Sequence, residues 1–202
     1  MKRLGSISSR ALIFAIIVIG VNSHAFALTG FGIGGKLGQV TKYDNPGLKL
    51  GDAKFSDFTA YGLFVKVGAK VIDVEFGTDW SKDTQERVIF GENVQVEAKN
   101  VDYHGTVKYV FPFPLLRPFI GGGIAAHKFS YEYAGPLGEF DEVTLKIPSD
   151  DTFFGFHGVI GAKLQLGALP FQPFVEGKVS RVNSNPSTTI TVISGGVIFS
   201  FL

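Results

Sequence analysis

The strongest constraint on this chain is an alternation of apolar and polar residues with a period of two, repeated in eight runs with almost nothing at helical spacing. Successive side chains of a β-strand point to opposite faces, so each run reads as a strand with one apolar and one polar face. Residues 30–40 set Phe31, Ile33 and Leu37 against Gly32, Gly34, Lys36 and Gly38. Residues 58–67 set Tyr61, Leu63 and Val65 against Ala60, Gly62 and Lys66. In 71–80, Ile72, Val74, Phe76 and Trp80 oppose Asp73, Glu75 and Asp79. In 94–111, Val101, Tyr103, Val107, Tyr109 and Phe111 oppose Asp102, His104, Thr106 and Lys108. In 153–166, Phe154, Phe156, Ile160, Leu164 and Leu166 oppose His157, Lys163 and Gln165. Val175 and Val179 oppose Glu176, Lys178 and Ser180 in 173–182, and Ile193, Val197, Phe199 and Phe201 oppose Ser194, Gly196 and Ser200 in 189–202. The remaining run, 118–133, carries Gly121-Gly122-Gly123, which fits either face and leaves the phase of 118–128 open. Beyond it, Phe129, Tyr131 and Tyr133 oppose Lys128, Ser130 and Glu132.

The N-terminus does not share this pattern. Lys2, Arg3 and Arg10 precede a nine-residue apolar stretch, 11–19, and Ala25-Phe26-Ala27 supplies a small-x-small cleavage site. So short a stretch does not span a bilayer as a helix, and 1–27 reads as a removable signal peptide ahead of a single domain, 28–202. Losing Lys2, Arg3 and Arg10 takes the 19 basic residues to 16, against 18 acidic ones. That balance provides no basic face for nucleic acid. The absence of cysteine excludes a disulfide scaffold, a thiolate metal site, a thiol nucleophile and a lipid-anchored N-terminus.

The connections alternate in length. Those at 67–70, 112–117 and 167–170 are tight, whereas those at 41–54, 81–93, 134–151 and 183–188 are longer on the whole and richer in charge, Pro, Gly and Asn. In an up-and-down meander all the long connections then share one end, and both termini lie at the other. Barrels of the bacterial outer membrane have this arrangement. A soluble eight-stranded barrel would alternate too. Three features favour the membrane. Aromatic residues gather towards strand ends (Phe76, Trp80, Phe111, Phe129, Tyr131, Tyr133, Phe154, Phe156, Phe199, Phe201), as interfacial girdles do. The polar face carries both charge signs, and Lys36, Lys66, Asp73, Glu75, Asp102, Lys108, Lys163, Glu176 and Lys178 form a set able to neutralise itself in a narrow lumen. The chain also ends on an aromatic strand without a polar tail.

Ser194, Gly196, Phe199 and Phe201 follow the order polar-x-Gly-x-x-aromatic-x-aromatic, with Leu202 after them, and this resembles the assembly signal of outer-membrane barrels. Arg117-Pro118-Phe119-Ile120-Gly121-Gly122-Gly123 and Gln172-Pro173-Phe174-Val175-Glu176-Gly177 resemble strand starts of the small outer-membrane β-barrel domain family. That family includes the OmpA transmembrane domain, OmpX, OmpW and the opacity adhesins. The resemblance implies an all-β, eight-stranded antiparallel up-and-down transmembrane β-barrel in a bacterial outer membrane. Its partners would be outer-membrane lipid, the barrel-assembly machinery and a ligand at the long loops outside the cell.

Candidate chemistry is sparse. His104 and His157 fall on the inward face, where hydrogen bonding is their ordinary role. Rim-site lipid-modifying enzymes on small barrels use a Ser–His pair, whereas His127 and Ser130 lie three apart and face opposite sides of a strand. Asp73, Glu75 and Asp79 share a face with no calcium loop beside them, and Lys36 and Lys66 are at hand as partners. The glycines of 30–35 lie inside a strand, which removes the helix end that a dinucleotide site needs. The acids of the third long loop (Glu139, Asp141, Glu142, Asp150, Asp151) are the best candidates for contacts outside the cell. No catalytic, cofactor or metal residue is assigned. The reading is a non-enzymatic protein with a structural or surface-interaction role. A small OmpW-like channel for apolar or small polar solutes is the alternative, and a rim-site lipid-modifying enzyme the further one. The period also predicts that Val107→Arg or Ile160→Arg costs more stability than Lys108→Ala.

Overall fold

A computed structural model describes residues 30–44, 58–69, 71–89, 92–134, 151–166, 169–185 and 187–201. These form eight strands: β1 (Gly30–Asp44), β2 (Phe58–Gly68), β3 (Ile72–Ile89), β4 (Glu92–Val110), β5 (Leu116–Ala134), β6 (Asp151–Leu164), β7 (Phe171–Val182) and β8 (Thr188–Phe201). Each pairs antiparallel with its neighbours in sequence, and β8 returns to β1 from Phe31↔Phe201 to Asp44↔Thr189, so the sheet closes as a barrel. Closure is required if the outside is hydrocarbon, because an open edge there leaves backbone groups unsatisfied at several kcal/mol each. The segment 1–27 and the loop acids at 139–150 lie outside the described residues.

Short links at 69–71, 111–115 and 165–170 mark one end of the barrel. At the other end the segment 81–93, expected as a long connection, is instead sheet. β3 and β4 stay paired from Ile72↔Tyr109 out to Ile89↔Glu92, leaving only 90–91 between them. Ser81-Lys82-Asp83-Thr84-Gln85-Glu86-Arg87 is polar at every position. Alternation vanishes there although backbone pairing, indifferent to side-chain polarity, continues.

The outer wall between the two ends is apolar, with Ile33, Leu63, Val107, Ile120, Ile124, Phe156, Ile160 and Val175 all exposed. Aromatic residues ring it at both heights. Tyr61 stacks on Trp80 at 5.7 Å towards the loop end. At the turn end Tyr109 meets Phe111 edge-on at 5.1 Å, and Phe31 meets Phe201 at 6.2 Å across the β1–β8 seam.

Near the loop end the polarity of the two faces inverts. Val40, Tyr43, Ala60, Phe129, Val182 and Ile190 pack inside as an apolar cluster, while Lys42, Lys82, Lys128 and Arg181 are exposed outside. Two devices produce this. A bulge between Val40 and Lys42 resets β1, so Val40 and Tyr43 both face inward. On β5 the alternation runs unbroken from Phe119 through Ala125 and His127 to Phe129, all buried. Phe129, grouped from sequence with the outward aromatics, is therefore an interior residue, and Lys128, grouped with the polar face, points out. The reason is height. Beyond the hydrocarbon the outer wall meets water, so charge is at home outside and rings are at home inside.

Candidate functional site

The lumen is where this chain concentrates its chemistry. Strand phase delivers Lys36 from β1, Lys66 from β2, Asp73, Glu75 and Asp79 from β3, Asp102, His104 and Lys108 from β4, Lys163 from β6, and Glu176 and Lys178 from β7. All but Asp79 are less than a tenth exposed. Lys108 bridges Glu75 and Glu176 at 2.7 and 2.6 Å. Lys178 bridges Asp79 and Asp102 at 3.0 and 2.8 Å. Lys36 reaches Asp79 at 3.1 Å and Glu176 at 3.6 Å. Towards the turn end Asp73 accepts Lys163 at 2.6 Å and Lys66 at 3.4 Å. Five ammonium groups thus meet five carboxylates in the interior, three with four in the central group and two with Asp73 towards the turn end. The neutrality is physically demanded, since an uncompensated charge in so dry a space costs several kcal/mol.

Room for these side chains comes from glycine. A Cβ on Gly62 would strike the Asp79 carboxylate and approach Lys36 Cε at 2.9 Å. One on Gly123 would strike the Gly105 carbonyl and lie 2.8 Å from the His157 ring. A narrow barrel holds a large inward side chain most easily where the paired position on the neighbouring strand has none, as at Gly62 beside Asp79 and Gly123 beside His157.

The histidines are woven into the same network. His104 Nδ1 lies 2.7 Å from Asp102 Oδ1, and its Nε2 lies 3.5 Å from Glu75. His157 Nε2 lies 2.8 Å from Thr106 Oγ1. This hydroxyl–imidazole pair is buried in the lumen. His127, fully buried, faces a small chamber with Asp79, Asn100, Asp102, Lys178 and Ser180. Its place was not legible in the sequence, because the glycine run left its strand's phase open and because only the register sets it opposite Asp102. Among the described residues Asp79, Asp102 and His104 bring ligand atoms within 4.8 Å of one another, the spacing of a metal site. Lys178 already occupies that role, with its ammonium against both carboxylates.

Above the chamber the apolar cluster of Tyr43, Phe129, Val182 and Ile190 fills the loop end, with Phe58 and Phe153 against it. Below, Phe64, Phe174 and Ile198 and then Val110, Phe119 and Val159 fill the spaces between charges. The Lys108 ammonium sits 5.0 Å from the Phe119 ring centre and 5.8 Å from that of Phe64.

The last strand carries the remaining residues singled out from sequence. Ser194 is buried and its hydroxyl donates to the Glu176 carbonyl at 3.5 Å. Gly196 lies against the Gly35 carbonyl and the Phe174 ring, where a Cβ would clash. Phe199 and Phe201 are about half exposed (54% and 53%) on the outer wall at the turn end, paired with Ile33 and Phe31.

Residues 11–198 match the sequence pattern of the outer membrane protein beta-barrel domain. No curated protein matches the chain at a significant level. Among solved structures it is similar to Neisserial surface protein A, at 12% identity and a TM-score of 0.56, covering 85% of this chain and 97% of that one. It is also similar to Ail, the attachment invasion locus protein of Yersinia pestis, at 9% identity and a TM-score of 0.53, with 85% and 97% covered. At these identities the likeness is one of fold.

Proposed function

The chain belongs to the outer membrane protein β-barrel domain family and resides in a bacterial outer membrane, and from that premise we propose that it is a sealed, non-enzymatic barrel with a structural or surface-interaction role. The observation that carries this is the cross-lumen bridge of Lys108, from β4, to Glu75 on β3 and Glu176 on β7, with packed rings on either side of it. Among the described residues, paired charges and aromatic rings occupy the lumen at several heights, which supports a plug over an open pore. Any ligand would meet the loops, where Glu139, Asp141 and Glu142 offer carboxylates.

The apolar interior at the loop end is what a small channel for apolar solutes would use, but Tyr43 and Phe129 meet edge-on across it at 6.2 Å and fill it. Planar-bilayer recording separates the two readings. The refolded protein is expected to give no unit conductance steps, and reproducible steps above the lipid baseline would establish a pore.

The second part of the proposal concerns Ser194, Gly196, Phe199 and Phe201 as the signal read by the assembly machinery. The two rings lie on the outer wall at the end where the chain terminates, so a factor can reach them before the seam closes. Changing Phe199 and Phe201 together to Ala is expected to lower outer-membrane yield in cells far more than it lowers the midpoint of unfolding in detergent. Wild-type yield from the double variant would remove the signal from these residues.

A further inference from the structure

Two of the three short links carry no charge. Residues 111–116 read Phe-Pro-Phe-Pro-Leu-Leu and 165–170 read Gln-Leu-Gly-Ala-Leu-Pro, whereas 69–71 contains Lys70. Phe111, Phe113, Leu115, Leu116 and Leu169 are all exposed. The two uncharged links adjoin, since the Gln165 amide donates to the Leu115 carbonyl at 2.8 Å and Leu116 pairs with Leu164. They present one apolar surface at the turn end, apart from the lumen and from Phe199 and Phe201.

Height separates this surface from the aromatic ring above it. From Val101 on β4 to Phe111, every outward position holds an apolar residue, a tyrosine or glycine. Ten positions along a strand tilted by about 40° rise about 25 Å, the full height of the apolar band in barrels of this kind. Phe113 and Leu115 therefore lie beyond the band, where a turn ordinarily carries polar residues.

The backbone there is suited to a layer poor in water. The amides of Phe111 and Phe113 donate to the Pro118 and Phe111 carbonyls, both at 2.9 Å, and Pro112 and Pro114 have no amide. Arg117 Nε donates to the Phe113 carbonyl at 3.2 Å. In the neighbouring link the Leu169 amide donates to the Leu166 carbonyl at 3.2 Å, and the Pro170 carbonyl accepts the Ser200 amide at 2.7 Å. A turn in bulk water has no need of internal partners at these groups, whereas one entering a lipid leaflet does.

We propose that the turns carrying Phe113, Leu115 and Leu169 form a one-sided anchor in the periplasmic phospholipid leaflet, seated where acyl chains meet headgroups, while the link at Ala69 stays in water. Lipid is the occupant because the surface continues the lipid-facing wall through Phe111 and Leu116, and because neither link offers the polar rim of a protein-docking site. The inference rests on the outer-membrane placement of the barrel and is independent of whether the lumen is sealed.

Trp80 is the only tryptophan in the chain, so Trp80→Phe provides a silent background for single reporters. Phe113→Trp, Leu169→Trp and, on the third link, Ala69→Trp are each refolded into phosphatidylcholine nanodiscs with a single barrel per disc. Both faces of a disc meet the buffer, and folding is checked by heat-dependent gel mobility. Emission is quenched by aqueous iodide and by phosphatidylcholine brominated at the headgroup end of its acyl chains. Positions 113 and 169 are expected to be quenched several-fold less by iodide than position 69, and several-fold more by the brominated lipid. Either reporter alone decides the comparison if the other variant does not fold. Iodide reaching 113 and 169 as readily as 69 would put the turns in water and overturn the anchor, leaving the surface to a protein partner or a second copy. Protection from iodide without quenching by lipid would mean that the turns pack on the barrel itself, and overturns the anchor equally. Quenching by lipid at all three positions would overturn its one-sidedness. The native Trp80 tests the placement separately: no quenching by brominated lipid there would take the outer wall out of the membrane, whatever the turns do.

Discussion

Replacing Lys108 with Met should destabilise the folded barrel by about 3–5 kcal/mol, the cost of leaving buried charge without its partner. Its ammonium is the shared partner of Glu75 and Glu176, all three side chains are less than a tenth exposed, and the rings of Phe64 and Phe119 flank it. Without it Glu75 keeps only the His104 ring at 3.5 Å and Glu176 only Lys36 at 3.6 Å, both longer than the bridges they lose. Alternation alone ranks Lys108→Ala as milder than Val107→Arg or Ile160→Arg, because a lumenal lysine resembles a solvated one when only its face is known. The bridge reverses that expectation. Urea unfolding of the refolded protein in lipid vesicles provides the measurement. Adding Glu75→Gln to Lys108→Met should recover part of the loss, since one of the stranded charges is then gone. A single-variant cost under about 1 kcal/mol, within the range of an exposed pair, would mean that the lumen is wet and the network a solvated one.

Val107→Arg and Ile160→Arg should each cost about 2–4 kcal/mol near the bilayer midplane, falling towards 0–1 kcal/mol at the interfaces. Both side chains are more than half exposed on the outer wall (53% and 66%), so in water neither substitution would matter. The penalty arises from the solvent and not from any packing partner. The two positions lie on β4 and β6, separated by β5, and the double variant should lose nearly the sum of the two. Unfolding in vesicles is again the measurement, and refolding in a detergent micelle, thinner and more forgiving, should show a smaller gap. Costs near zero at both positions would put the wall in water and make the molecule a soluble barrel.

Much of the fold was legible because the membrane enforces a simple rule. Within the hydrocarbon band, outward residues must be apolar, so Ile33, Leu63, Val107 and Ile193 betray their face by chemistry alone, and the inward lysines and acids betray theirs by contrast. The rule lapses at the band's edge. Lys128 and Phe129 read the wrong way round when the band's polarity is carried past its boundary, and 81–93 reads as a connection because 81–87 is polar at every position and shows no alternation. The glycine run of β5 hid a third feature: His127, fully buried opposite Asp102, has a face that no neighbouring side chain announces.

The sequence by itself determined the number of strands, their antiparallel order, the inward phase of Lys36, Lys66, Asp73, Glu75, Asp102, Lys108, Lys163, Glu176 and Lys178, and the outward terminal rings, because a period of two is written into consecutive residues. Only the tertiary structure decided which charge meets which. Lys108 finds Glu75 at a separation of 33 residues and Glu176 at 68, and Lys178 finds Asp102 at 76. Such pairings depend on the stagger between strands and on the diameter that closure imposes. Both are properties of the whole sheet, and no single strand carries a record of them.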